Sequence, residues 1–86
     1  MEKNLMGKRL KKLRTKKEKS FMQIQKELGI SNQALSYWEL GKRMPNSKHL
    51  SMLSDYYDVS ADYILGKTDN PEINKPINPD NEGVSG

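Results

Sequence analysis

Residues 20–45, SFMQIQKELGISNQALSYWELGKRMP, contain two short amphipathic helix patterns hinged at Gly29, each opened by a serine. Ser20 and Ser31 can each accept a hydrogen bond from an orphan amide of the turn that follows, and Gln23 is spaced to return the bond to Ser20 as a capping box. Gly29 reaches the left-handed conformation that ends a helix at least cost. The stretch therefore predicts a helix over 21–28, a sharp turn, and a second helix over 32–40 closed by Gly41. On the first, Phe21, Ile24 and Leu28 fall at helical spacing; on the second, Leu35 and Trp38 turn inward.

Working outward, Met6, Leu10, Leu13 and Lys17 form one stripe of a helix over 5–17, with Lys8, Lys11, Lys12 and Lys16 falling away from it and Asn4 as its cap. Gly41 and Pro45 make GKRMPN a loop, because the residue before a proline avoids the helical region. A fourth helix follows over 47–57, where Leu50, Leu53 and Tyr57 share a face. Ser60 then caps a short fifth helix, ADYIL, ended by Gly66. The expected fold is all-α, a compact five-helix bundle with no strand. Its expected core is Leu10, Leu13, Ile24, Leu28, Leu35, Trp38, Leu50, Leu53, Ile64 and Leu65.

From Lys67 the composition changes to prolines, asparagines and acids, with Ile73, Ile77 and Val84 as the apolar residues. Such a segment buries too little surface to offset its ordering entropy. The expected organisation is one domain over 1–68 and, over 69–86, a disordered tail or a linker to a further domain.

The charge is distributed unevenly. Residues 1–19 hold nine lysines and arginines against Glu2 and Glu18, a balance of +7, which leaves −3 for the rest of a chain whose total is +4. A polyanion would be drawn to one side of such a molecule, although a solvated lysine face gives the same count. The absence of cysteine excludes disulfides and thiolate metal sites and fits a reducing compartment. No apolar run approaches the ~20 residues needed to cross a bilayer, and the N-terminus lacks a hydrophobic signal core. A cytoplasmic, non-membrane protein is expected. With one histidine, His49, no defined carboxylate pair and no glycine-rich phosphate loop, neither an enzyme nor a cofactor or metal site is expected. RNA or single-strand binding would call for aromatics spaced along a basic sheet.

Opposite Leu35 and Trp38, the third helix presents Asn32, Gln33, Ser36 and Tyr37, a polar face without formal charge. Asn and Gln can make two hydrogen bonds to adenine in the major groove, Ser can pair with several base edges, and Tyr can meet a phosphate or a thymine methyl. Any helix facing water is polar, but amides and serine in place of lysine and glutamate suit a helix whose N-terminal end enters a groove. Trp38, the only tryptophan, could stack on nucleic acid; its spacing from Leu35 puts it in the core instead. Tyr56, Tyr57 and Tyr63 lie where helices four and five meet, for packing or for dimer contacts.

Over residues 6–69 the sequence resembles the Cro/phage-repressor (Xre-type) helix-turn-helix DNA-binding domains. MGKRLKKLR at 6–14, ELGIS at 27–31, ALSYWELGKRMP at 34–45 and LSMLSDYYDVSADYILGKTDN at 50–70 carry the resemblance, specific in combination though weak piece by piece. It implies a five-helix bundle whose third helix lies in the major groove of double-stranded DNA, bound as a dimer to a pseudo-palindromic operator. Base contacts then fall on Asn32, Gln33, Ser36 and Tyr37, and phosphate contacts on Ser31, Gln23, Lys42 and Arg43. It also implies a structural ion pair between Arg14 and Glu39. The function implied is a transcriptional regulator, a repressor of phage or mobile-element type.

Four departures from the family pattern bear on the site. Phe21 stands where a DNA-contacting glutamine is usual, and Glu18-Lys19 where Gly-Leu is usual, so that Phe21 could fill the place of the missing leucine. Gln25 occupies a normally small position, so either the crossing of helices two and three widens or the amide reaches toward helix three. Leu40 replaces a polar residue. An exposed patch at Leu40, Met44 and Tyr56 would favour the alternative function, a protein-interaction module such as an antitoxin or anti-repressor partner.

Overall fold

The computed structural model describes residues 4–73; the part of the expected tail from 74 to 86 lies outside the described residues. Five helices form among them: α1 over Leu5–Lys16, α2 over Phe21–Leu28, α3 over Asn32–Leu40, α4 over Ser47–Tyr57 and α5 over Ala61–Leu65, with no strand. Helix α1 packs on α3 and α5, α2 on α3, and α4 on α5.

The helix boundaries follow from their caps. Ser20 accepts from the Gln23 amide at 3.2 Å while Gln23 Oε1 accepts from the Ser20 amide at 2.7 Å, which completes the capping box. Ser31, Asn46 and Ser60 accept in the same way from Ala34, His49 and Tyr63. Gly29 ends α2 at φ +73°. Two residues without glycine's freedom also take left-handed geometry, Glu18 after α1 (φ +59°) and Asp58 after α4 (φ +55°).

Asn4 is a correction. It sits at the N-cap of α1, but its side chain makes no capping bond and instead donates through Nδ2 to the carbonyl of Glu39 at 3.2 Å. The cause is close approach: Gly7 is buried against the end of α3, where a Cβ would lie 2.3 Å from the Glu39 carbonyl oxygen. Asn4 is thereby spent on tying α1 to α3.

The buried core is Leu10, Ile24, Ile30, Leu35, Trp38, Leu53, Val59 and Ile64. Leu13, Leu28 and Leu50, expected inside, are half-buried and pack against that cluster. Leu65 is half-buried and outside the set that packs on it, because in so short a helix Ile64 takes the inward direction and the next side chain is rotated about 100° from it. Ile30 and Val59 enter from turns. Each follows a left-handed residue, and the Val59 amide bonds back to Ser54 at 3.1 Å, so the chain reversal itself drives the apolar side chain inward.

After α5 the chain returns to α1. Arg9 donates to the carbonyls of Tyr63 and Thr68, pairs with Asp69 at 2.7 Å, and lies 4.1 Å over the Tyr63 ring. The Pro71 carbonyl accepts from the Ser60 amide at 2.8 Å.

Candidate functional site

Helix α3 is held from three sides. Behind it, Leu35 and Trp38 are each 4% exposed, and Trp38 meets the His49 ring at 5.4 Å. At its N-terminus, where the first amides of a helix have no partner within it, Ser31 Oγ takes the Ala34 amide and Gln25 Oε1 takes the Asn32 amide at 2.7 Å. Gln25 thus reaches helix three, as one of its two expected placements required. At the C-terminus Arg14 Nε lies 2.7 Å from Glu39 Oε2, and Nη2 lies 3.2 Å from Oε1. This fork-on-fork pair fixes orientation as well as charge. Hydrogen bonding to Glu39 raises the Arg14 pKa against the opposing effect of burial, and burial pushes the neighbouring Tyr57 phenol up.

Arg14 does more than pair with Glu39. It donates to the Lys19 carbonyl at 3.0 Å, and its guanidinium covers the Phe21 ring at 4.3 Å. One side chain thereby joins α1, the turn before α2, the first residue of α2 and the end of α3. Phe21 is half-buried against the core cluster, in keeping with its filling the place of the missing leucine.

The expected contact residues lie on the face this frame leaves outward. Gln33 is exposed; Asn32, Ser36 and Tyr37 are half-buried. Gln33 Nε2 donates to the Tyr37 hydroxyl at 3.1 Å, and Asn32 Nδ2 lies 3.4 Å from the Met22 sulfur. Lys42 and Arg43 are exposed just past the helix, with the Arg43 guanidinium 5.8 Å from the Tyr37 ring centre. Gln23 commits Oε1 to the capping box, so its Nε2 donors are the part left to meet a ligand. Leu40 and Met44 are exposed at 58% and 69%. Tyr56 is half-buried and donates to Glu27, which Lys19 also pairs with at 2.8 Å.

Chemically the face combines uncharged donor–acceptor groups, suited to discriminating between hydrogen-bonding patterns, with flanking cations suited to holding an anion. Among the described residues no histidine–carboxylate cluster is placed to hold a metal, and no helix is long and apolar enough to cross a membrane. Met22 and Asn4 belong to the site's framework although sequence reasoning did not place them there. Met22 carries no signal, since its contact is across helices. A glycine at position 7, within an otherwise lysine-rich helix, does carry one: it marks a close backbone approach.

A helix-turn-helix family profile matches residues 10–64. The chain is 38% identical over 79 residues to the HTH-type transcriptional regulator ImmR of Bacillus subtilis (strain 168), covering 85% of this chain and 62% of that protein. It is 41% identical over 64 residues to the SPbeta prophage-derived uncharacterized HTH-type transcriptional regulator YonR of the same organism, covering 74% and 59%. Repressor protein C2 of Salmonella phage P22 is 37% identical over 65 residues, covering 76% of this chain and 30% of that protein. The chain spans about three fifths of the length of the first two relatives.

Proposed function

This chain belongs to the helix-turn-helix family of Cro/C1 type, and on that premise we propose that it is a sequence-specific regulator of transcription that binds double-stranded DNA. It acts in the cytoplasm by binding rather than catalysis, as a repressor of the phage or mobile-element kind, and meets a pseudo-palindromic operator as a homodimer. Helix α3 enters the major groove, Asn32, Gln33, Ser36 and Tyr37 face the bases, and Ser31, Gln23, Lys42 and Arg43 face the phosphates. The observation that carries this reading is the orientation of α3: Leu35 and Trp38 anchor it from behind while its uncharged amides turn outward, flanked by exposed cations. Selection of bound fragments from random duplex DNA at two salt concentrations tests it. The expected result is one enriched motif with two-fold symmetry; recovery of unenriched sequence at both salts would overturn it.

The exposed Leu40 and Met44 favour a second reading, in which the same fold binds another protein. Salt-independent capture of one discrete protein, with no retention on DNA, would establish that reading in place of the first.

A further inference from the structure

The hydrogen bond between Gln33 and Tyr37 limits what Gln33 can read. A glutamine amide carries two N–H donors and one carbonyl acceptor. Across the major groove it has two ways to make a pair of bonds: one donor with the carbonyl, which fits the N7 acceptor and N6 donor of adenine, or both donors, which fits the N7 and O6 acceptors of guanine. In this chain Gln33 Nε2 already gives one proton to the Tyr37 hydroxyl, 3.1 Å away and one helical turn later. One donor and the carbonyl remain, and guanine would meet the carbonyl with its own O6.

The ring making this bond is held. Tyr37 is half-buried on α3, and the Arg43 guanidinium lies 5.8 Å from the ring centre on the side of the following loop. The next residue, Trp38, is buried in the core and sets the roll of α3, and so the direction in which Gln33 and Tyr37 face together.

We infer that Tyr37 is a positioning residue that makes Gln33 an adenine reader by occupying the amide proton that guanine would need. The inference rests on the DNA-binding reading above and deepens it by assigning one base of the half-site and the cause of its selection. Tyr37, which faces the bases with the rest of that side of α3, acts at this base pair through Gln33 and not through a contact of its own, which separates this assignment from a direct contact to thymine at the same pair.

The test uses the whole chain and the operator obtained by selection, with each half-site position changed in turn to all four base pairs. Gln33→Ala identifies the base pair read by Gln33, and that pair carries adenine in the preferred site. Tyr37→Phe, which keeps the ring and removes the hydroxyl, lowers the preference for adenine over guanine at that same pair by about three- to tenfold, the effect of one lost hydrogen bond. Preferences elsewhere, the salt dependence and the thermal midpoint stay as in the parent. In the double variant, Tyr37→Phe adds nothing to Gln33→Ala. Undiminished discrimination against guanine in Tyr37→Phe, a changed preference at a different pair, or a base other than adenine opposite Gln33 would each overturn the inference while leaving the regulator reading in place. Failure of the parent chain to select any sequence would overturn both.

Discussion

Glu18 occupies the left-handed region at φ +59°, where a side chain costs about 1–2 kcal/mol, and it does so at the turn that delivers α2 to the core. Relief of that strain exceeds the extra chain entropy of glycine, so Glu18→Gly is expected to stabilise the fold by about 0.5–1 kcal/mol, read as a higher midpoint in urea with unchanged slope. The departure from Gly-Leu at 18–19 was visible in the sequence, as was the possibility that Phe21 compensates. Less visible was how polar side chains would be spent. Gln25 could be read as reaching helix three, and it does so through the Asn32 amide, whereas Asn4 looked like a cap and is a bridge to Glu39. A cap is chosen by local spacing, a bridge by a partner 35 residues away that no local pattern encodes.

The five helices were legible almost to the residue because each start after the first carries a serine or asparagine cap, and three of the ends carry glycine. The core was legible where periodicity applies, and incompletely elsewhere: Ile30 and Val59 lie in turns, outside any helical period. Packing between α1 and α3 depends on Gly7. Alanine there would gain about 0.5–1 kcal/mol of helix propensity, but its Cβ would stand 2.3 Å from a backbone oxygen that cannot rotate away. Overpacking of that kind costs about 1–3 kcal/mol or more, so the clash wins. Gly7→Ala is expected to lower the thermal midpoint and, by displacing the end of α3, to weaken operator binding more than non-specific binding; an unchanged midpoint would refute the role given to this contact.

Across the whole molecule, the segment after α5 is tied to α1 through Arg9, whose acceptors Tyr63, Thr68 and Asp69 are 54 to 60 residues away in sequence. The same distance explains why composition from Lys67 onward pointed to a tail and not to this return of the chain. Helices α2 and α4 are joined by Tyr56 and Glu27, and burial first, then the bond to Glu27, pushes the Tyr56 phenol up to about 12. A raised pKa in the folded state means the protonated phenol is favoured there. Its contribution is complete below the unfolded value near pH 10 and is lost as pH rises toward 12. Tyr56→Phe should therefore flatten the loss of stability over that window, as followed by urea melts at stepped pH. The outward polar face of α3 was legible from the inward spacing of Leu35 and Trp38; the Gln33–Tyr37 bond was not, because spacing gives proximity without the direction of a donor. In the proposed division of labour this face selects sequence while the flanking cations supply attraction. Salt-titrated binding of Gln33→Ala and Lys42→Ala to the selected operator separates the two roles. Gln33→Ala should lose about 1–3 kcal/mol on that site with an unchanged salt slope, and Lys42→Ala should weaken all sequences alike and flatten the slope by about one unit; operator binding untouched by both would contradict the account.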